Sequence, residues 1–192
     1  MNMRWTRWLG SGALLLLVGV TPARADLSVF GDYHNNVARA AALNDPYTVR
    51  QLLGSGSNPN NDVDESGRTA LHIAAMNGNL QIAAILLKAN ARLDVTDPLG
   101  NTPLLYAAER NQIEMAQLLI DVGAALDKDN KNGMTPLMVA ASRGNAAIVQ
   151  ALLAKGANPR KADFTGRDAL GWAKESRKPV VVQALERAVA NR

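Results

Sequence analysis

No feature of this 192-residue chain restricts its fold more than a step of 33 residues. The stretch Gly100-Asn-Thr-Pro-Leu-Leu-Tyr-Ala-Ala108 returns in register as Gly67-Arg-Thr-Ala-Leu-His-Ile-Ala-Ala75, Gly133-Met-Thr-Pro-Leu-Met-Val-Ala-Ala141 and Gly166-Arg-Asp-Ala-Leu-Gly-Trp-Ala-Lys174. A fixed period in this range marks a stacked repeat protein, in which each unit buries its apolar face only against its neighbours.

Each unit divides into a turn and two helices. Asp64-Glu-Ser-Gly67, Asp97-Pro-Leu-Gly100 and Asp163-Phe-Thr-Gly166 place Asp first and Gly fourth, as a type I turn prefers, and Asn130-Lys-Asn-Gly133 substitutes Asn. Thr69, Thr102, Thr135 and Asp168 then stand as N-caps, with Pro103 and Pro136 at the first helical position. Paired alanines keep the first helix thin, so that equivalent helices can approach closely. Gly78, Asn111 and Gly144 stop it. The second helix carries the larger apolar groups, such as Ile113, Met115, Leu119 and Ile120, on one face, and Gly56, Asn90, Gly123 and Gly156 end these helices.

The nine-residue pattern resembles the G-x-T-P-L-H-x-A-A core of the ankyrin repeat, and the resemblance covers nearly the whole chain after the first thirty residues. It implies an all-α ankyrin-repeat solenoid of helix-turn-helix units with β-turn or hairpin fingers. The repeats are expected at about 30–63, 64–96, 97–129, 130–162 and 163–192. The first is degenerate, with helices at Val37–Leu43 and Tyr47–Leu53 and one extra residue in the finger that follows. The last is atypical: Lys174 replaces an alanine and Glu186 replaces an apolar residue, as the outward face of a terminal repeat requires.

Residues 1–25 read as a secretory signal peptide. Arg4 and Arg7 precede an apolar run from Leu9 to Val20, and Ala23-Arg-Ala25 supplies a cleavage site before Asp26. Twelve residues of helix reach only about 18 Å, short of a roughly 30 Å hydrocarbon core. The expectation is a single domain of residues 26–192, located in the periplasm or secreted, with no stable membrane anchor after cleavage, and a monomer. Cleavage removes three arginines and leaves 18 basic against 17 acidic residues, a net of +1, so the basic precursor gives no ground for nucleic-acid binding. Residues 26–127 carry −6 and residues 128–192 carry +7. Such an asymmetry steers a partner, promotes head-to-tail contact, or is drift in a solvated surface.

Catalytic chemistry has little to work with. The sequence has no cysteine and two histidines, His34 and His72. His72 occupies the motif's histidine, which the resemblance makes a structural bridge between neighbouring loops. Neither histidine stands at a metal-ligand spacing, and the acid pairs Asp62/Asp64 and Asp127/Asp129 fall in fingers without a calcium-loop pattern. Gly54-Ser-Gly56 lacks the Lys-Ser/Thr of a phosphate loop. The reading is a non-enzyme without cofactor or metal.

The resemblance further implies that another protein binds through the finger tips and the exposed side of the first helices. On this chain those positions are Glu65, Ser66, Arg68 and Asn77; Leu99, Asn101, Glu109 and Arg110; Lys131, Asn132, Met134 and Arg143; and Phe164, Arg167 and Ser176. Leu99, Met134 and Phe164 stand out because finger tips are ordinarily polar, and together they are expected to form an apolar strip beside arginines. Tyr106 and Trp172 are assigned to packing between repeats. The expected role is an exported adaptor or inhibitor. A stabilising accessory subunit of a periplasmic enzyme and a host-directed secreted effector are the alternatives.

Overall fold

Short helices punctuated by capping residues account for nearly all regular structure in the computed structural model, which describes residues 36–190. The sequence readings on residues 1–35, including the signal peptide and His34, lie outside the described residues. Ten helices follow in five pairs: α1 (Val37–Ala42) with α2 (Pro46–Gly54), α3 (Ala70–Asn77) with α4 (Leu80–Lys88), α5 (Pro103–Glu109) with α6 (Ile113–Asp121), α7 (Pro136–Arg143) with α8 (Ala146–Ala154), and α9 (Ala169–Glu175) with α10 (Pro179–Ala190). The all-α solenoid is therefore as expected.

The caps do what their side-chain chemistry dictates. Thr102 and Thr135 accept through Oγ1 from the N–H groups of Leu105 and Met138, each at 3.3 Å, and Asp168 accepts from Gly171 N–H at 2.7 Å. Asn36 and Asp45, in the degenerate first repeat, cap α1 and α2 in the same way. Such caps matter because helices of six to nine residues, as α1 to α9 are, satisfy few of their own terminal groups.

α1, α3, α5, α7 and α9 form one row, each packed on the next. α2 packs on α4, α6 on α8 and α8 on α10 in a second row, and each first helix also packs on its own second helix. Approach is closest in the first row, where Ala74, Ala75, Ala107, Ala108, Ala140 and Ala141 are buried and present nothing larger than a methyl group. Between the rows runs one continuous core of Leu71, Ile82, Leu86, Leu104, Met115, Leu119, Leu137, Ile148, Leu152 and Leu185.

Register is read from the left-handed residues that close the helices. The steps Gly78–Asn111, Asn111–Gly144 and Gly144–Arg177 are each 33 residues, whereas Asn44–Gly78 is 34. Gly56–Asn90 is likewise 34 and Asn90–Gly123 is 33, which places the extra residue in the finger after Gly56. Arg177 holds the glycine register with φ 55°, a closure the sequence did not suggest.

Polar side chains tie neighbouring repeats along the edges of both rows. Gln112 Nε2 donates to Met76 C=O at 3.0 Å and Asn145 Nδ2 to Ala108 C=O at 2.6 Å. In the segments after the second helices, Asn60, Asp94 and Asp127 accept from the N–H groups of Arg92, Ala125 and Asn158 in the following repeat. Lys128 and Lys161 reach back to the carbonyls of Asp94 and Asp127 at 2.7 Å. At the far end Lys174 Nζ lies 3.1 Å from Glu186 Oε1, so the two departures from the repeat pattern form one ion pair.

Candidate functional site

The fingers are tight turns rather than extended hairpins, and two of them close with a single rung that pairs Val63 with Thr69 and Ala162 with Asp168. Each is built on its first residue. Oδ1 of Asp97 accepts from the N–H groups of Leu99 (2.9 Å) and Asn101 (2.8 Å), and Oδ1 of Asp64, Asn130 and Asp163 does the same in the other fingers. This Asx geometry gives every finger the same turn.

The second side-chain atom of the finger residue is satisfied differently in each repeat, and this decides what faces outward. Asp64 Oδ2 takes Arg68, with the guanidinium at 2.6 and 2.8 Å. Asp97 Oδ2 accepts from Tyr106 Oη at 2.6 Å and Asp163 Oδ2 from Trp172 Nε1 at 2.9 Å. In repeat four the finger residue is Asn130, whose Nδ2 donates to Asn101 Oδ1 at 2.9 Å, and the place of the aromatic ring is taken by Val139. The packing between repeats expected of Tyr106 is present, its ring edge-on to His72 of the preceding repeat with centroids 5.9 Å apart. The sequence did not suggest that the polar atoms of Tyr106 and Trp172 also close onto their own repeat's finger.

Burial of these locks shows in their protonation. Burial, and then the hydrogen bond to Asp97, raise the Tyr106 phenol above its ordinary value. Burial pulls Asp163 upward, but hydrogen bonds from Thr165, Arg167 and Trp172 outweigh it and hold the carboxyl low. His72 is fully buried; Thr69 N–H donates to its Nδ1 at 3.1 Å, which leaves the proton on Nε2 to donate to Asn101 C=O in the next finger at 3.0 Å. The bridge between loops expected for His72 is present. Burial, the largest cause, lowers the pKa of its imidazole.

Between fingers and first helices, across repeats two to five, lies a cavity of about 640 Å³. Of the sequence-chosen residues, Arg68, Leu99, Asn101, Glu109, Arg110, Met134, Arg143 and Ser176 line it. Leu105, Tyr106, Asn130, Val139, Ser142 and Trp172 line it too and were not chosen. Their signal was in the sequence, because Tyr106, Val139 and Trp172 share one place in the repeat. Glu65, Ser66, Asn77, Lys131, Asn132, Phe164 and Arg167 are exposed but stand outside that lining.

The expected strip of Leu99, Met134 and Phe164 does not form as drawn, because the three occupy different places in the finger. Leu99 is the tip residue and is 64% exposed. Met134 follows the turn, is half-buried and packs against the core. Phe164 is 75% exposed, yet its ring edge and N–H lie over Gly133 of the preceding finger.

Charge in the cavity is mostly committed. Arg143 meets Glu109 at 2.7 Å across two repeats. Arg167, beyond the rim, pairs with Glu175 at 3.1 Å and lies over the Trp172 ring at 5.1 Å. The Arg110 guanidinium has no hydrogen-bond or ion-pair partner among the described residues.

A second cavity, about 900 Å³ and shallow, lies on the outer face of α9 and α10 around Lys174, Arg177, Lys178 and Glu186. Among the described residues no three His, Asp or Glu side chains gather as metal ligands, and no helix is long and apolar enough to cross a membrane. The family model described as Ankyrin repeats (3 copies) matches residues 37–130 and again 122–189. Among curated proteins none matches the chain.

Proposed function

The chain belongs to the ankyrin-repeat family, and from that premise we propose that it is an exported, non-enzymatic adaptor or inhibitor that holds a partner protein against its finger-and-helix groove. Ankyrin repeats are in general modules for protein–protein interaction. The observation that carries the reading is the groove itself. Exposed Leu99 and half-buried Met134 and Val139 lie beside Arg110 and Arg143 in one depression, and of these neither the Leu99 side chain nor the Arg110 guanidinium is engaged in holding the stack together. An apolar centre with arginines beside it has the composition of an interface core. Export rests on the basic, apolar and small-residue order of residues 1–25.

The test is capture. The chain from Asp26 onward, immobilised, should retain a protein from periplasmic extract, and Leu99→Ser with Arg110→Glu should release it while the melting temperature stays within a few degrees. Retention of the same proteins by both forms would place the interface elsewhere. Terminal sequencing of the chain recovered from cells should begin at Asp26, and recovery of an intact Met1 would remove the exported role.

A further inference from the structure

Repeat four breaks the pattern that its neighbours keep. In repeats three and five a large ring, Tyr106 or Trp172, stands over the first helix and locks onto the finger carboxylate. In repeat four Asn130 satisfies its amide with Asn101 and with the N–H groups of Asn132 and Met134, so no ring is required. Val139, at the ring's place, is too short to fill the space. The result is a slot floored by Val139 and Met134, walled on one side by Tyr106 and on the other by Trp172, within the groove of about 640 Å³. The groove as a whole, of which the slot is one part, lies in the range of roughly 300–1,000 Å³ that holds a bound group.

The rim of the slot is basic. Arg110 and Arg143 both line it, and Glu109, the carboxylate among the lining residues, is engaged by Arg143. Arg110 is left with an unpaired guanidinium. A cation that can form two parallel hydrogen bonds, next to an apolar recess, favours a carboxylate beside an apolar side chain.

We propose that the slot in repeat four is the specificity pocket of the groove and takes one apolar side chain of a partner segment, whose adjacent Asp or Glu is held by Arg110. This rests on the groove being the partner-binding face. It adds the place within the groove that does the selecting and the chemistry of the segment selected.

The experiment selects a phage-displayed random-peptide library on the chain from Asp26 onward, then measures the Kd of enriched peptides as synthetic samples. Enriched sequences should carry an apolar residue next to an acidic one. Val139→Trp, which fills the slot with the ring of repeat five, should weaken them at least tenfold, and so should Arg110→Glu. Lys88→Glu, on the second row of helices, should leave Kd unchanged. Should Val139→Trp fail to fold, Ser142→Phe at the slot's mouth carries the same expectation. Enrichment of neutral or basic peptides, affinity indifferent to Val139→Trp and Ser142→Phe, or no enrichment at all would overturn the proposal. Peptides that ignore the slot variants but are lost with Leu99→Ser and Asn101→Ala would overturn the slot while leaving the groove as the binding face. Peptides indifferent to every groove variant would remove both.

Discussion

Tyr106 donates its phenolic hydrogen to Asp97 Oδ2 at 2.6 Å, across nine residues of chain and wholly inside one repeat. Both are buried, Tyr106 at 8% and Asp97 at 6% exposure, so the carboxylate has little water to fall back on. Asn101 Nδ2, at 3.5 Å, is a poor substitute. Tyr106→Phe should therefore cost about 1–3 kcal/mol, the penalty for a buried acceptor left short of a donor. The urea midpoint measures it, and a loss near zero would mean that solvent reaches the carboxylate.

The same lock can be built where it is absent. Asn130→Asp alone removes the donor to Asn101 and should destabilise by about 1–2 kcal/mol. Combining it with Val139→Tyr supplies a hydroxyl at the place Tyr106 occupies one repeat earlier. A double-mutant cycle should give a favourable coupling of at least about 1 kcal/mol. Strict additivity would show that the aromatic–carboxylate pairing does not transfer between repeats.

His72 gives a pH dependence with a definite sign. Its folded pKa lies below the ordinary 6.5 of an imidazole, with burial the largest cause. The unfolded chain therefore takes up the proton first as pH falls. The stability contribution is complete above the unfolded pKa and is lost on descending through 6.5 towards the folded value. The slope from this one group is bounded by one proton, about 1.4 kcal/mol per pH unit. His72→Gln should flatten the curve as pH falls through about 6.5, above the ordinary carboxylate range. An unchanged curve would assign the slope to other groups.

Two glycines of equal conformation separate backbone strain from crowding. Gly133 and Gly166 have φ +77° and +81°. A Cβ on Gly133 would meet Phe164 N at 2.8 Å and Asp163 Cα at 3.0 Å, whereas one on Gly166 meets nothing within 4 Å. Gly166→Ala should cost about 1 kcal/mol from the left-handed backbone alone. Gly133→Ala should cost about 3 kcal/mol, since a neighbouring backbone must also move. Equal losses would mean that successive fingers slide apart freely.

The last described repeat should resist stacking through its ion pair. Lys174 and Glu186 pair at 3.1 Å where inner repeats have buried alanine and buried or half-buried leucine or isoleucine. Lys174→Ala with Glu186→Leu restores the inner pattern on the shallow outer face of α9 and α10. Sedimentation should then reveal concentration-dependent self-association. A variant that stays as dispersed as the parent would show that the ion pair is not what blocks stacking.

Periodic features of the chain were legible because they depend on local chemistry. Thr102, Thr135 and Asp168 cap through bonds three residues away, and Gly78, Asn111 and Gly144 close helices by backbone conformation alone. Of the bonds that join residues 29 to 37 positions apart, the His72 bridge was expected through the resemblance and the rest were not legible. Asp127 read only as a finger acid and Asp94 was not singled out, yet both clamp the next repeat, because their partners are backbone N–H groups that any residue supplies. In the groove, exposure was judged residue by residue, which found Leu99 and Arg110. It missed Tyr106, Val139 and Trp172, whose meaning lies in comparing one repeat with the next. Met134 and Phe164 were displaced from the expected strip because they stand two places after and one place before the finger position of Leu99.

Because the lock on the finger acid closes within nine residues in repeats three and five, much of the outward chemistry there is set by two letters of the sequence. Asp with Tyr, Asp with Trp, and Asn with Val all leave the stack standing in the same chain. Recognition can thus be rewritten by exchanging such a pair together with the neighbouring contact it makes, Asn101 for repeat four and His72 for repeat three. A lineage carrying this scaffold can change what it grips without first relearning how to fold.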